Sequence, residues 1–308
     1  MTNTNRKRLT IYPFDWMYLG YCAVMICLII IFARPLSEYL GDIVFYIAAM
    51  MVALIIVRFV DEKTNRLFAL IRLLYPMLMF TFLYTETGNL MLIVFDNFFD
   101  PELVRFEMAI FGVSPTLYLD RNLTHLIWAN ELFSFGYFSY YFMFPVFLLM
   151  ALIKQHYENL KTGITAISLA FYVSYLIFVL FPVESPRWFL ADQYVNTITG
   201  PLLRPMVDYI IASGGLHGGG MPSSHVAVAL VIMFCSLRYY PLLGRVLVPI
   251  NILLAAGTVW GRFHYVSDVV AGILVGILAP VIVWRYFDSR RLSTGITSEK
   301  ESTLEHAS

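Results

Sequence analysis

Two histidines and a carboxylate stand at the ends of apolar segments of this chain. His225 closes the stretch Gly218-Gly219-Gly220-Met221-Pro222-Ser223-Ser224-His225, and His264 follows 39 residues later within Arg262-Phe263-His264-Tyr265-Val266-Ser267-Asp268. His264 and Asp268 are spaced i, i+4, which on a helix places them on one face with Cβ atoms roughly 5–6 Å apart. A carboxylate there accepts from one imidazole nitrogen and leaves the other unprotonated, able to attack phosphorus. The spacing predicts His264 as a nucleophile and Asp268 as the group that orients it.

The first stretch reads as the start of a helix. Proline suits the first helical position and serine caps well, while the glycines before them loosen the approach. Free backbone N–H groups and the positive end of the helix dipole favour a phosphate at such a start, where the hydroxyls of Ser223 and Ser224 add donors. His225 falls in the same first turn. Facing His264 across a bundle, it is placed to protonate a departing alkoxide as general acid.

The elements that hold these residues are apolar. The 308 residues are 59% hydrophobic and 14% charged, with mean hydropathy +0.71, too apolar for a water-soluble domain. A span needs about 20 apolar residues, and such runs lie near 15–34, 41–60, 68–86, 134–153, 163–182, 222–239, 245–262 and 266–286. The expectation is an all-α, polytopic transmembrane bundle of about eight spans. N-terminal helices occupy 1–86, a catalytic membrane domain 87–288, and a polar, disordered cytoplasmic tail 289–308. Residues 87–133 mix aromatics with Asp96, Asp100, Glu102, Glu107 and Asp120, and read as interfacial, non-spanning helices. The stretch from Pro201 to Ile211 is amphipathic, a lid over the site or a plain surface anchor. Gly272 and Gly276 form a Gly-x3-Gly packing step.

Basic residues set the orientation. Of the 21 lysines and arginines, only Arg34, Arg105, Arg121, Arg187, Arg204 and Arg262 fall outside the cytoplasmic segments when both termini are placed in the cytoplasm. The other fifteen, Arg6, Lys7 and Arg8 among them, fall inside. On that topology both histidine turns and the 183–221 loop meet at the extracytoplasmic face. The first apolar run is of full span length without a small-residue cleavage site, which predicts an uncleaved anchor. Zero net charge points to no nucleic-acid partner. Cys22, Cys27 and Cys235 fall in spans, with neither a disulfide framework nor a metal spacing.

Pro-Ser-x-His followed by His-x3-Asp resembles the type 2 phosphatidic acid phosphatase (PAP2) superfamily and its inositol phosphorylceramide synthase-like branch. The likeness extends through Phe111-Gly112-Val113-Ser114-Pro115-Thr116 and Tyr137-Phe138-Ser139-Tyr140-Tyr141, which look more like that branch than like plain phosphatases, and covers about residues 90–290. It implies that His264 forms a phosphohistidine, that Asp268 orients it, that His225 is acid and base, and that Ser223 binds phosphate, with no cofactor and no metal. Two features depart from the phosphatase pattern. The arginine six residues before the nucleophile is Thr258, and the upstream Lys-x6-Arg-Pro is replaced by Ser185-Pro186-Arg187-Trp188. Arg187 and Arg262 are the candidates to clamp phosphate in their stead, since a guanidinium holds two phosphate oxygens at once.

Each residue also has a plainer role. His264 and Asp268 can pair as solvated interfacial groups, Arg187 and Arg262 can snorkel, and His125, His156 and His217 read as loop residues. Trp128, Tyr137, Tyr140 and Tyr141 read as an interfacial aromatic belt, with headgroup contact as the alternative. Glu86 is either a buried hydrogen-bond partner or part of a headgroup site.

The expected function is an integral-membrane phosphatase or phosphotransferase acting on a phospholipid or sphingolipid at the extracytoplasmic face, in a bacterial inner membrane. The alternative is an inositol phosphorylceramide synthase-like transferase that moves a phospho-headgroup to a lipid acceptor. A His/His/Asp metal-dependent membrane enzyme and a proton-relay transporter are the remaining classes.

Overall fold

The computed structural model describes the backbone of residues 10–305 and side chains as far as residue 290. Among those residues there are helices and no strands. The α-helices are α1 (Pro13–Phe32), α2 (Leu40–Phe59), α3 (Arg66–Asn89), α4 (Asp100–Phe111), α5 (Pro115–Asn122), α6 (Ile127–Ile153), α7 (Tyr157–Leu180), α8 (Pro186–Phe189), α9 (Leu203–Gly214), α10 (Ser224–Tyr239), α11 (Pro241–Trp260) and α12 (Val266–Glu305). Seven of them, with Val266–Arg290 of α12, are long and apolar enough to cross a membrane, and α10 is a shorter apolar helix of 16 residues. The chain is thus a multi-pass membrane protein. Arg6, Lys7 and Arg8 lie outside the described residues, as do the side chains of the 289–308 tail beyond 290.

The apolar runs locate the spans to within a few residues, except at α7, which starts at Tyr157, six residues before its run, and at α6. Helix α6 starts at Ile127, seven residues before its apolar run begins, because Asn130 and Glu131 face protein loops. The Asn130 amide donates to the Thr124 and Thr199 carbonyls. Glu131 accepts from the backbone N–H groups of Leu202, Leu203 and Arg204 at the start of α9, where a carboxylate meets orphan donors and the positive end of the dipole.

α6 packs on α11, while α10 packs on α7, α11 and α12. Gly272 sets the approach of α12 to α10: a Cβ there would lie 2.5 Å from the Ser223 carbonyl oxygen. This close contact joins the two helix starts that carry the His225 and His264 motifs, so the Gly-x3-Gly step bears on the site as well as on packing.

α1, α2 and α3 share one continuous apolar core with the later helices. Asp15, fully buried on α1, pairs with Arg72 and accepts from the Tyr75 hydroxyl, and Lys161 on α7 pairs with Glu62 at 3.0 Å. A buried ion pair of this kind leaves an uncompensated charge when one partner is removed, which destabilises by about 3–5 kcal/mol.

The 87–133 region forms α4 and α5. On α4 the residues at i, i+3 and i+7, Asp100, Leu103 and Glu107, are buried, while Phe106, Ile110 and Phe111 are exposed. The acids face inward and the apolar side chains outward, the reverse of a helix in water. An apolar environment around α4 accounts for both faces.

Candidate active site

The C-terminal end of α7 and of α11 and the N-terminal end of α10 and of α12 lie at one end of the bundle, as an up-and-down chain requires. The loops between them bring together most of the residues singled out above. A cavity of about 510 Å³ opens there, lined by Ser185, Arg187, Gly218, Gly219, Gly220, Ser224, His225, Phe263 and His264. Deeper, its walls are Met77, Phe80 and Tyr84 from α3, Tyr140 and Phe144 from α6, Phe171 and Tyr175 from α7, and Val228 and Ile232 from α10.

His264 precedes α12 in a tight turn. The Thr258 carbonyl, at the position where the phosphatase pattern has arginine, accepts the backbone N–H groups of both Phe263 and His264. The His264 side chain is buried and its Nδ1 lies 2.8 Å from the Gly220 carbonyl oxygen. A carbonyl only accepts, so Nδ1 carries the proton and the Nε2 lone pair is free. Burial pushes the imidazole down to about 4, with the Arg187 charge adding to the shift and the Gly220 hydrogen bond opposing it. The ring is therefore neutral at ordinary pH, as a nucleophile must be.

The orienting hydrogen bond predicted from Asp268 is made instead by Gly220. Asp268 stands 3.6 Å from Nδ1, beyond hydrogen-bond range, because its Oδ2 accepts the Tyr265 N–H at 2.8 Å. Asp268 thereby holds the turn that carries His264. Gly220 is fixed in turn by its own N–H, which donates to the Val183 carbonyl at 2.9 Å. A Cβ at Gly220 would sit 2.7 Å from the Val183 side chain, so only glycine fits there without displacement.

His225 lies in the first turn of α10. Pro222 falls two residues before the helix, rather than at its first position, with Ser223 as N-cap. The Nε2 atom of His225 is 3.2 Å from the Tyr137 hydroxyl, and its ring packs between Tyr137 and Tyr140 at centroid distances of 5.1 and 4.6 Å. The His225 and His264 rings are 6.4 Å apart. Tyr137, Tyr140 and Tyr141 line the cavity in place of the interfacial belt expected of them, whereas Trp128 is exposed.

The candidate phosphate ligands divide. Arg187 lines the cavity and Arg262 does not. Arg262 pairs with buried Asp120, donates to the Asn196 carbonyl at 2.6 Å and lies 4.0 Å over the Tyr194 ring. Its Nη2 holds the 190–200 loop, while its Nε is buried without a hydrogen-bond partner among the described residues. Arg187 carries no such ion pair among the described residues and rests on Trp188 at 4.8 Å. Burial pushes its pKa down, yet an arginine remains charged. Ser224 faces the cavity, while Ser223 turns away with its Oγ buried and unbonded among the described residues. Ser185 and Arg262 adopt φ of +110° and +66°, a strain that clusters at functional sites.

Two acids that the sequence reading placed in an interfacial segment prove central. Asp100, fully buried, accepts from the Glu184 N–H at 2.6 Å, the Ser185 N–H at 3.1 Å and the Tyr265 hydroxyl at 2.9 Å. One carboxyl group thus joins the loop that leads to Arg187 with the turn that carries His264. Burial pushes its pKa up, against those hydrogen bonds. Glu107 accepts from the N–H and hydroxyl of Ser267 in the first turn of α12. His217, beyond the plain loop role its sequence position implies, pairs with Glu184 and packs against Trp188 and Phe98. Glu86 accepts a long 3.4 Å contact from Asn89 and lies outside the cavity. Among the described residues no group of three or more His, Cys, Asp or Glu side chains is gathered as a metal site.

The model of the PAP2 superfamily matches residues 101–282, more than half of the chain and the whole of the cavity's polar end. The chain belongs to the PAP2 superfamily. A PA-phosphatase related-family protein of Dictyostelium discoideum is 27% identical over 195 residues, which cover 56% of this chain and 35% of that protein. The chain thus spans about a third of the length of the curated relative it matches. No solved structure matches it. Membership suggests a lipid phosphatase-type function, and α1–α3 lie ahead of the matched PAP2 segment.

Proposed function

We propose that this PAP2 protein transfers the phosphoryl group of a membrane lipid through a phosphohistidine on His264. The observation that carries the reading is the free Nε2 of a neutral, buried His264, in one cavity with His225 and Arg187. Nε2 attacks phosphorus in line, Arg187 and the N–H groups at the start of α10 hold the phosphate oxygens, and His225 supplies a proton to the departing oxygen. In the second step His225 receives a proton from the acceptor as it attacks the phosphohistidine. Charge stabilisation and positioning supply most of the acceleration.

The apolar depth of the cavity supports a lipid substrate, since polar ligands gain nothing from walls of Phe80, Phe144 and Phe171. The bias of basic residues supports an extracytoplasmic site with both termini cytoplasmic, and a bacterial inner membrane remains part of the proposal. Water as acceptor makes the protein a lipid phosphate phosphatase. An inositol phosphorylceramide synthase-like transferase is the second reading, favoured by the aromatic enclosure of His225, which places a lipid hydroxyl beside the base more readily than bulk water.

The test is product analysis of the detergent-solubilised protein given labelled phosphatidic acid or phosphatidylinositol, with and without ceramide or diacylglycerol. Inorganic phosphate without acceptor establishes the phosphatase, and label in a new phospholipid only with acceptor establishes the transferase. Turnover undiminished in His264→Ala overturns the phosphohistidine in either case.

A further inference from the structure

The contact between Tyr137 and His225 reaches beyond packing. Tyr137 is held by Phe263, at a centroid distance of 4.8 Å, and by the His225 ring it stacks on. Its hydroxyl meets Nε2 of His225 at 3.2 Å. Both side chains line the cavity, so the contact between the hydroxyl and one nitrogen of the proposed acid lies at the wall of the space the substrate would fill.

The spacing of the two histidines explains why such an intermediary is needed. An in-line attack puts the His264 nitrogen about 3 Å from phosphorus. A P–O bond lies beyond that, followed by a hydrogen bond of about 2.8 Å to the acid. The ring centroids are 6.4 Å apart, shorter than those lengths laid end to end, and Nε2 of His225 is already engaged by the Tyr137 hydroxyl. A hydroxyl bonded to Nε2 carries the proton around the phosphoryl group instead.

We propose that Tyr137 is a catalytic residue, the proton carrier between His225 and the oxygen that leaves or attacks. The proposal rests on the reading of His264 as nucleophile and His225 as acid and base. In the first step the His264 Nε2–P bond forms and the P–O bond to the leaving group breaks. The Tyr137 O–H proton passes to the leaving oxygen, and the Nε2–H proton of the His225 imidazolium passes to the Tyr137 oxygen. The products are an alcohol, a neutral His225, an intact tyrosine and phosphohistidine. In the second step the acceptor gives its proton to the Tyr137 oxygen as the tyrosine proton returns to Nε2, and the acceptor oxygen displaces His264 from phosphorus.

The test uses Tyr137→Phe, which keeps the ring stack and removes only the hydroxyl. Full-length protein in detergent is given short-chain phosphatidic acid, whose alkoxide needs a proton to leave, and p-nitrophenyl phosphate, whose phenolate does not. With phosphatidic acid, turnover of the variant is expected to fall by about 10²-fold or more, without build-up of phosphoenzyme. With the nitrophenyl ester, the first nitrophenol is expected to be released at close to the wild-type rate, after which phosphoenzyme accumulates because the second step still lacks its proton carrier. An equal loss on both substrates without accumulation, or no loss on phosphatidic acid, overturns the role of Tyr137. A wild-type measurement guards against misfolding of the variant: two protons in flight give a curved rate dependence on the deuterium fraction of the solvent, and a straight line overturns the relay. Failure of wild-type protein to form phosphohistidine on either substrate instead brings down the reading of His264 beneath it.

Discussion

The carbonyl oxygen of Gly220 accepts the Nδ1 proton of His264 at 2.8 Å. A backbone atom therefore does the orienting that triads assign to a carboxylate, and it cannot be removed by truncating a side chain. It can be moved. Gly220→Ala would push the loop off Val183 and carry the carbonyl with it, so kcat is expected to fall at least tenfold with a stability loss of about 1–3 kcal/mol. Steady-state kinetics alongside thermal unfolding in detergent check both.

Asp268→Asn is expected to be mild by comparison. The amide oxygen still accepts the Tyr265 N–H that Asp268 now accepts, and Gly220 continues to orient His264. Less than a tenfold change in kcat is expected, against a much larger one for Asp268→Ala, which leaves a buried donor unsatisfied. A loss of 10³-fold in Asp268→Asn would show that the carboxylate charge itself supports the imidazolium.

The two candidate arginines should separate kinetically. Arg187→Lys is expected to lower kcat/KM by about 10²-fold, since a point charge does not replace a guanidinium fork on phosphate. Arg262→Lys breaks the contacts with Asp120, Asn196 and Tyr194, and its effect should appear in thermal stability and in proteolysis of the 190–200 loop, with kcat within about tenfold. Equal catalytic losses in both would return Arg262 to the phosphate site.

Much of this arrangement was legible in the sequence. Apolar runs of span length gave the helices, because a segment that must satisfy its backbone in lipid has little choice but to be helical. His225 and His264 stood out because ionisable groups beside spans are rare. Asp100 and Glu107 did not stand out, because what they do depends on partners 84 to 165 residues away, and no local spacing encodes that. A weak signal existed in the i, i+3, i+7 stripe of Asp100, Leu103 and Glu107, with Phe106 and Ile110 on the other face. The choice between Arg187 and Arg262 was equally closed to sequence, since Asp120 captures one of them through the folded chain alone.

Asp100→Asn should uncouple the loop before Arg187 from the His264 turn. The amide has a single acceptor oxygen in place of two, so at least one of the Glu184, Ser185 and Tyr265 donors loses its partner at about 1–3 kcal/mol. A lowered unfolding temperature and a raised KM are expected, from a misplaced Arg187, with a smaller effect on the rate of phosphohistidine formation at saturating substrate.

The pH dependence follows from the burial of His264. Its imidazole sits at about 4 in the folded protein and at about 6.5 in an unfolded chain, so between those values the unfolded state binds the extra proton. Stability contributed by this residue is therefore complete above about pH 6.5 and lost as pH falls toward 4. Attack requires the neutral ring, so with p-nitrophenyl phosphate, whose leaving group needs no proton from His225, the rate of phosphohistidine labelling should hold steady from pH 8 to 5 and drop only near pH 4. Rapid-quench labelling across that range, performed on protein shown to remain folded at each pH, checks the expectation. A break near 6.5 would mean that His264 is solvated in solution and that the Gly220 contact is not formed in the resting protein.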